Sequence, residues 1–275
     1  MGSGILDRLQ RKERVAAIIK ILSDNPNKVF SLGYFSEFFG SARSTLSEDI
    51  VLAKKVVEYL GCGKIETISG AAGGVKYIPG LSDINKDAFL KELCVTLSSP
   101  DRIIKGGYIY MNDIVFSPEI SSKVGLILAS YFIEKNVDYV ITVETKGIPI
   151  ALMTARALNK PLVIARREVG VTEGSSVSIN YVTGSSKKIQ RMSLGKRAIT
   201  KGSRCIFIDD FMKAGGTANG IIELLKEFEC ELVGIGVLVE GASDKKLVSD
   251  YISLLTLETV DEENGIIKIY PTKND

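Results

Sequence analysis

The 275-residue chain contains no histidine. This absence excludes nucleophilic catalysis by a serine–histidine–aspartate or cysteine–histidine arrangement, and it excludes any metal site with histidine ligands. Catalysis would have to use carboxylates, lysine, tyrosine or a Mg²⁺ ion that enters with a substrate.

Cysteine is scarce, and membrane-length apolar runs are missing. The four cysteines, Cys62, Cys94, Cys205 and Cys230, lack the spacing of a metal site. The N-terminus has a charged amphipathic pattern instead of a secretory signal. We therefore predict reduced thiols, a cytoplasmic location, no contact with membranes and no metal site.

The chain also has no large excess of charge of either sign, because its formal net charge is only +2. Hydrophobic residues make up 45% and charged residues 25%, which is typical of a globular protein. Residues 1–80 carry 11 lysines and arginines against 8 aspartates and glutamates. This excess is too small to predict nucleic-acid binding by itself.

The segment Cys205–Thr217 is the most informative part of the chain. Its pattern predicts a short strand over 205–208, then the acid pair Asp209-Asp210, a small-residue turn and a helix. The helix has an apolar face at Ile221, Leu224, Leu225 and Phe228. A glycine turn at a helix N-terminus directs backbone N–H groups toward an anion such as phosphate.

This arrangement resembles the diphosphoribose-binding signature of type I phosphoribosyltransferases. The resemblance implies binding of 5-phosphoribosyl 1-pyrophosphate (PRPP), with the acid pair on the ribose and the turn around the 5-phosphate. The implied contacts after the acid pair are Phe211, Met212, Lys213, Ala214, Gly215, Gly216 and Thr217. The alternative is an ordinary glycine turn beside two solvated aspartates.

Two other segments are candidate parts of the same site. Glu144-Thr145-Lys146-Gly147 follows a predicted strand, 139–143, and opens a helix, 147–158. In the resemblance it is the pyrophosphate loop, in which Lys146 holds the diphosphate with or without Mg²⁺. The alternative is an ordinary strand–helix connection. Tyr108 after Gly106-Gly107 is a candidate aromatic contact to the ligand or to a dimer partner.

The N-terminal third predicts three helices followed by a β-hairpin. The first helix ends at Asn25-Pro26-Asn27, Ser31 caps the second, and Ser41 or Ser44 caps the third. The third helix has an apolar stripe consisting of Leu46, Ile50, Ala53, Val57 and Leu60. Strands at 65–68 and 75–78 flank a glycine loop.

This layout resembles a winged helix, which implies that the third helix enters the DNA major groove. The predicted DNA-contacting residues are Arg43, Ser44, Thr45, Ser47, Lys54, Lys55 and Lys76. The alternative is a small helical domain that serves dimerisation or carries another domain.

Pro79-Gly80 marks the predicted boundary between a DNA-binding domain, 1–79, and an effector-binding domain, 80–275. Beyond it, helices and strands alternate, which predicts an α/β fold with a mostly parallel sheet. Further predicted elements are a helix at 121–133, strands at 161–165 and 232–239, and an exposed antiparallel ribbon at 177–182. The tip 184–188 includes Lys187 and Lys188, which either meet phosphate or keep the loop soluble.

Together the two domains resemble the Gram-positive purine operon repressors, over nearly the whole chain. The resemblance implies a homodimeric repressor of purine synthesis and transport genes, with PRPP as the signal that releases operator DNA. Lys213 departs from the small residues usual in the phosphate turn of active transferases. We therefore predict effector binding without transfer and no catalytic residues.

Three alternatives stay open. The chain could be an active purine phosphoribosyltransferase with a regulatory N-terminal domain, or a partner-binding module whose two sites have decayed. Guanosine tetraphosphate or pentaphosphate, which also carries phosphates at both ends of a ribose, is a rival effector that would exclude PRPP.

Overall fold

A computed structural model of the chain describes residues 9–70, 73–168, 174–182, 189–243 and 245–274. The chain divides into two compact units. One comprises Met1–Asn85 with Ala157–Asn159, and the other comprises Lys86–Arg156 with Lys160–Asp275. No described helix is both long and apolar enough to cross a membrane.

The first unit contains the three helices and the hairpin that the sequence predicts. Its elements are α1 (Arg11–Asp24), α2 (Leu32–Phe39), α3 (Arg43–Tyr59), β1 (Gly63–Ile68) and β2 (Gly74–Pro79). β1 and β2 pair in antiparallel register from Gly63 with Pro79 to Ile68 with Gly74. The predicted domain boundary at Pro79-Gly80 lies at the end of β2.

The N-cap of α2 is as predicted, and that of α3 is not. The Ser31 hydroxyl accepts a hydrogen bond from the Tyr34 amide, and Gly40 ends α2 in the left-handed conformation. The residue before α3 is Ala42, which has no side-chain cap, so the prediction of Ser41 or Ser44 was wrong. The Ser41 hydroxyl instead donates to the Phe39 carbonyl, and Ser44 already lies inside the helix.

The predicted stripe of α3 forms the core of this unit except at one position. Leu46, Ile50, Ala53 and Val57 are buried against the other helices and the hairpin. Leu60 is 61% exposed because α3 ends one residue before it. Its assignment to the stripe was wrong, because the helical periodicity does not extend past the helix end.

A buried ion pair fixes α3 against α1. The Asp49 side chain is completely buried, and the Arg14 Nε lies 2.8 Å from its Oδ2. Arg11 Nε lies 3.4 Å from the other oxygen, and Arg11 also contacts the exposed Glu48. Because a buried carboxylate without a partner is costly, these contacts fix the position of α3 along and around α1.

The second unit is built around a six-stranded sheet. Its helices are α4 (Asp83–Leu97), which starts before the division, α5 (Asn112–Val115), α6 (Pro118–Ser130), α7 (Gly147–Leu158) and α8 (Gly216–Glu227). Its strands are β3 (Ile103–Ile104), β4 (Tyr108–Ile109), β5 (Tyr139–Val143), β6 (Leu162–Ala165), β7 (Ser176–Val182), β8 (Ile189–Gly195), β9 (Arg204–Met212), β10 (Glu231–Gly241), β11 (Ile252–Asp261) and β12 (Ile266–Pro271).

The sheet is mostly parallel, as the alternating helices and strands predict. Its strand order is β12-β11-β10-β9-β5-β6, and only the β11–β12 pair is antiparallel. β7 and β8 form the predicted antiparallel ribbon, but the prediction that it is exposed was wrong, because most of its apolar side chains pack against α8 and the core. The predicted tip at 184–188 lies outside the described residues.

The predicted bounds of α6 and β9 were wrong. α6 spans Pro118–Ser130, not 121–133, and it begins earlier because the Ser117 hydroxyl accepts from the Ile120 amide and Pro118 suits the first helical position. β9 continues through the acid pair to Met212, although the sequence predicted an end at residue 208. Pairing with β10 through Met212 keeps this polar segment extended.

Replacing Asp49 with alanine should lower the free energy of unfolding by about 3 kcal/mol, because the variant leaves the Arg14 guanidinium without its buried partner. Urea unfolding followed by circular dichroism measures the loss. The matched control, Glu48→Ala, removes only an exposed partner of Arg11 and should cost less than about 1 kcal/mol. Equal losses in the two variants would contradict this account.

Candidate functional site

The acid pair lies where β9 separates from one of its two neighbours. The ladder between β5 and β9 ends at the pair formed by Ile141 and Phe207. On the other side, β10 pairs with β9 through Met212. Asp209 and Asp210 are therefore held in a strand whose side toward β5 opens at the carboxyl edge of the sheet, the usual ligand edge of a parallel sheet.

Gly147 allows the loop after β5 to lie against this opening. A Cβ atom on Gly147 would lie 2.5 Å from Thr142 Oγ1 and 2.6 Å from Asp209 Oδ1, so only glycine fits without movement. The Glu144 carboxylate accepts from the Arg167 amide at 2.8 Å, which fixes the start of the loop. The peptide bond between Glu144 and Thr145 is cis. Lys146 is exposed beside the acid pair.

The two carboxyl groups share one small volume. Asp209 Oδ1 accepts from the Asp210 amide at 2.9 Å. Burial raises the pKa of Asp209 well above its ordinary value, and the adjacent Asp210 raises it further. Burial also raises the pKa of Asp210, while the hydrogen bond with Asp209 and the charge of Lys146 oppose that shift. The pair is thus arranged to gain from donors that a ligand brings.

The turn after β9 has the geometry that binds anions in other proteins. Gly215 adopts a φ of 79°, and α8 begins at the next residue. The N-terminal amides of α8 and the positive end of its dipole therefore lie at this turn. Ala214 and Gly216 are buried, and Lys213 is exposed.

The segment 245–250 supports the turn from behind. The Leu247 amide donates to the Ala214 carbonyl at 2.9 Å, and a Cβ on Gly215 would lie 2.8 Å from Val248. Lys246 is fixed by an ion pair with Glu240 and a hydrogen bond with the hydroxyl of Tyr251, which donates to Glu240 at 2.6 Å. These contacts limit how far the turn can move.

A cavity of about 550 Å³ joins these parts. All predicted ligand residues line it except Gly147, which is buried at the start of α7. The predicted residues on its wall are Tyr108, Glu144, Thr145, Lys146, Asp209, Asp210, Phe211, Met212, Lys213, Ala214, Gly215, Gly216 and Thr217. No group of three or more carboxylates or cysteines able to hold a metal occurs in the described part of the chain.

Three polar residues of the wall were not predicted from the sequence, namely Arg167, Tyr181 and Gln190. The Tyr181 hydroxyl donates to Gln190 at 3.0 Å, across the β7–β8 ribbon. Burial raises the pKa of Tyr181, and its hydrogen bond with Thr217 opposes the shift. The alternating pattern of β7 could have indicated Tyr181, but not that the ribbon packs against α8.

A second concave surface, of about 640 Å³, lies in the first unit between α3, the start of α2 and the β1–β2 hairpin. Arg43 and Ser47 line it, together with the hairpin glycines Gly70, Gly73 and Gly74. Such a surface, with a helix face beside a glycine-rich wing, has the layout that winged helices use on DNA.

The other predicted DNA contacts lie at different places. Ser44, Lys54 and Lys55 are exposed on α3. Thr45 lies about 160° around the helix from Ser47, because successive residues are about 100° apart. Lys76 is 3.5 Å from Glu66 on the hairpin. Its neighbour Val75 lines the groove, so Lys76 points to the opposite face of β2.

Comparisons with known proteins identify both units. A family model described as "Bacterial purine repressor, N-terminal" matches residues 10–79, and one described as "Phosphoribosyl transferase domain" matches residues 113–270. The purine biosynthesis transcriptional repressor PurR of Bacillus subtilis is 48% identical over 95% of this chain and 92% of its own. The chain belongs to the PurR family.

Other members of the PurR family carry a different regulatory name. The purine biosynthesis transcriptional activator PurR of Lactococcus lactis subsp. lactis is 39% identical over 95% of this chain and 97% of its own.

Adenine phosphoribosyltransferase from Rhodothermus marinus is 21% identical, with a TM-score of 0.51 over 62% of this chain and 99% of its own. At this identity the match shows the fold alone, and it confirms the predicted phosphoribosyltransferase-like fold of the second unit.

Replacing Asp209 with asparagine should stabilise the ligand-free protein by about 1 kcal/mol at neutral pH. A carboxyl whose pKa is raised by folding contributes stability only when protonated, and loses it as the pH rises through the folded-state pKa. Below about pH 3.9, the ordinary pKa of aspartate, Asp209 is protonated in both the folded and the unfolded protein. The stability gained by Asp209→Asn should therefore disappear there. Thermal unfolding between pH 3.5 and 8, with the exposed Asp87→Asn as control, measures it. A gain that does not change with pH would contradict the assignment.

Proposed function

We propose that this protein is a DNA-binding transcriptional repressor of purine synthesis and transport genes, whose second unit binds PRPP as an inducer. The observation that carries the proposal is the arrangement of the second unit's cavity. An acid pair lies between a lysine-containing loop and a glycine turn at a helix N-terminus. A ribose with phosphate groups at both ends presents the complementary chemistry.

Each part of PRPP has a matching group in the cavity. The carboxylates of Asp209 and Asp210 accept from the ribose hydroxyls, which add donors to a pair whose pKa values are raised by burial. The turn at Gly215 and the first amides of α8 hold the 5-phosphate. Lys146 and its loop hold the diphosphate, and Mg²⁺ carried by the diphosphate would add positive charge there.

The first unit supplies the DNA-binding half of the proposal. α3 would enter the major groove with Arg43, Ser44 and Ser47 near its N-terminal end, and Lys54 and Lys55 would meet phosphates. Such contacts make affinity fall steeply with salt concentration. A palindromic operator would be bound by a homodimer, one half-site for each copy. Repression is preferred to activation because the higher identity is to the relative named a repressor.

PRPP acts as an inducer only if it binds the DNA-free form more tightly than the DNA-bound form. Guanosine tetraphosphate or pentaphosphate would oppose it, because both ligands place phosphates on the same turn and loop. A calorimetric titration in which saturating PRPP leaves the affinity for guanosine tetraphosphate unchanged would exclude this competition.

Removal of the acid pair separates the repressor from the enzyme alternative. In Asp209→Ala/Asp210→Ala, we expect unchanged affinity for a duplex from a purine gene promoter, because α3 is untouched. PRPP should weaken wild-type binding at least about tenfold and the variant less than about twofold, since the hydroxyl acceptors are gone. Fluorescence anisotropy of the labelled duplex measures both.

Glu227→Ala, at the opposite end of α8 from the phosphate turn, is the control for this experiment and should respond to PRPP like the wild type. A double variant that still releases DNA on addition of PRPP would refute the proposed effector site. Wild-type protein whose DNA affinity does not change with PRPP would refute its role as an inducer.

The cavity is proposed to bind without transferring. Lys213 places a long cation in the phosphate turn, and the chain has no histidine for proton transfer. We expect no formation of a nucleoside monophosphate from PRPP with adenine, guanine, hypoxanthine or xanthine, measured with radiolabelled bases. Turnover with any of them, lost in Asp209→Ala/Asp210→Ala, would establish the enzyme alternative.

A further inference from the structure

The β3–β4 ribbon carries an exposed aromatic residue to the cavity. Tyr108 lines the cavity although 54% of its surface is exposed, so packing in the core does not explain its position. The ribbon has only two residues in each strand, with Ile103 paired to Ile109 and Ile104 to Tyr108. A ribbon this short is not stable alone. Contacts from elsewhere must therefore hold Tyr108 in place.

Two sets of polar contacts, one at each end, hold the ribbon, in addition to the buried Ile109 side chain. At its base, Arg102 forms a bidentate ion pair with Asp113, at 2.8 and 2.7 Å, and donates to the Tyr110 carbonyl. At its tip, Glu262 Oε1 accepts from the amides of Gly106 and Gly107, at 2.8 and 2.7 Å. Glu262 comes from the β11–β12 turn, more than 150 residues later in the chain.

The tip is built for this carboxylate and for the tyrosine ring. Gly106 and Gly107 have φ values of 93° and 73°, which direct two successive amides to one oxygen. Hydrogen bonds to a carboxylate are stronger than neutral ones. A Cβ atom on Gly106 would lie 3.2 Å from the Tyr108 ring, so the ring lies directly against the tip. The position of the ring therefore depends on the position of the tip.

The turn that carries Glu262 has a fixed shape of its own. The Asp261 carboxylate accepts from the amides of Glu263 and Asn264, and from the Asn264 side chain at 2.8 Å. The Asn264 side chain and these amides lower the pKa of Asp261. Gly265 completes the turn with a φ of 65°. The backbone of Glu262 is thus fixed in a preformed turn, so only its side chain has to be ordered for it to reach Gly106 and Gly107.

We propose that Glu262 is a positioning residue for the cavity: it holds the β3–β4 ribbon so that Tyr108 can stack on the base of a bound nucleotide. This inference rests on the proposed effector site. It adds that Tyr108 contacts only the base of a ligand. PRPP has no base and therefore does not need the tyrosine ring. Loss of Glu262 should therefore weaken base-bearing ligands and spare PRPP.

Calorimetric titrations of the full chain with Mg²⁺-PRPP and with guanosine tetraphosphate test the inference. We expect Glu262→Ala to weaken guanosine tetraphosphate about tenfold, or about 1.4 kcal/mol, which is within the range for stacking of one base on an aromatic ring. Its affinity for PRPP should change less than about twofold. Glu262→Gln keeps an acceptor oxygen for the two amides and should restore most of the loss.

Two further variants separate positioning from general damage. The adjacent Glu263→Ala is the matched control and should bind both ligands like the wild type. Tyr108→Ala should show the loss of Glu262→Ala or a larger one, and adding Glu262→Ala to it should change nothing more. In hydrogen exchange, the peptide containing Gly106 and Gly107 should exchange faster in Glu262→Ala than in Glu263→Ala.

Each remaining outcome overturns the inference in a recognisable way. Equal weakening of both ligands would indicate a purely structural contact. An unchanged affinity for both, or a loss that persists in the Tyr108→Ala background, would exclude positioning through the ring. Wild-type protein that binds PRPP but not guanosine tetraphosphate would end this inference and leave the effector site standing. Failure to bind either ligand would refute both proposals.

Discussion

The cavity of the second unit depends on one feature of the sheet. Beyond Phe207, β9 no longer pairs with β5, but it continues to pair with β10. At this place two adjacent carboxyl groups stay in an extended strand, although burial and mutual repulsion raise the pKa of Asp209. The unliganded pair is thus a local cost to folding, and ligand hydroxyls can recover part of it. Under the proposed function, this cost favours a polyhydroxylated phosphate over a simple anion as the ligand.

The surrounding parts are arranged around that constraint. Gly147 brings the lysine-containing loop against Asp209, and the segment behind Gly215 keeps the phosphate turn in place. The β3–β4 ribbon is held separately, through Glu262. In the two proposals above, these separate attachments let the phosphate and base portions of a ligand contribute independently to its affinity. The first unit has its own constraint, the buried pair of Asp49 and Arg14, which orients the helix proposed to read DNA.

Patterns read from short stretches of sequence predicted most elements. The periodicity of α3, the strand at 139–143 and the helix at 147–158 are as expected, because each depends on neighbours within one element. One error came from distant pairing, because β9 runs four residues past its predicted end through its ladder with β10. Other errors were local: Leu60 is exposed because α3 stops before it, and α6 starts early because Ser117 and Pro118 begin it.

By itself, the sequence determined the two-part layout, the acid pair, the glycine turn and the family resemblance, because these are encoded in the order of adjacent residues. Only the tertiary structure decided that Tyr181 and Gln190 line the cavity and that Asp49 binds arginines of α1. It also decided that Glu262 holds Gly106 and Gly107. Those contacts join residues far apart in the chain, and their hydrogen-bonding groups have no local pattern that specifies a partner.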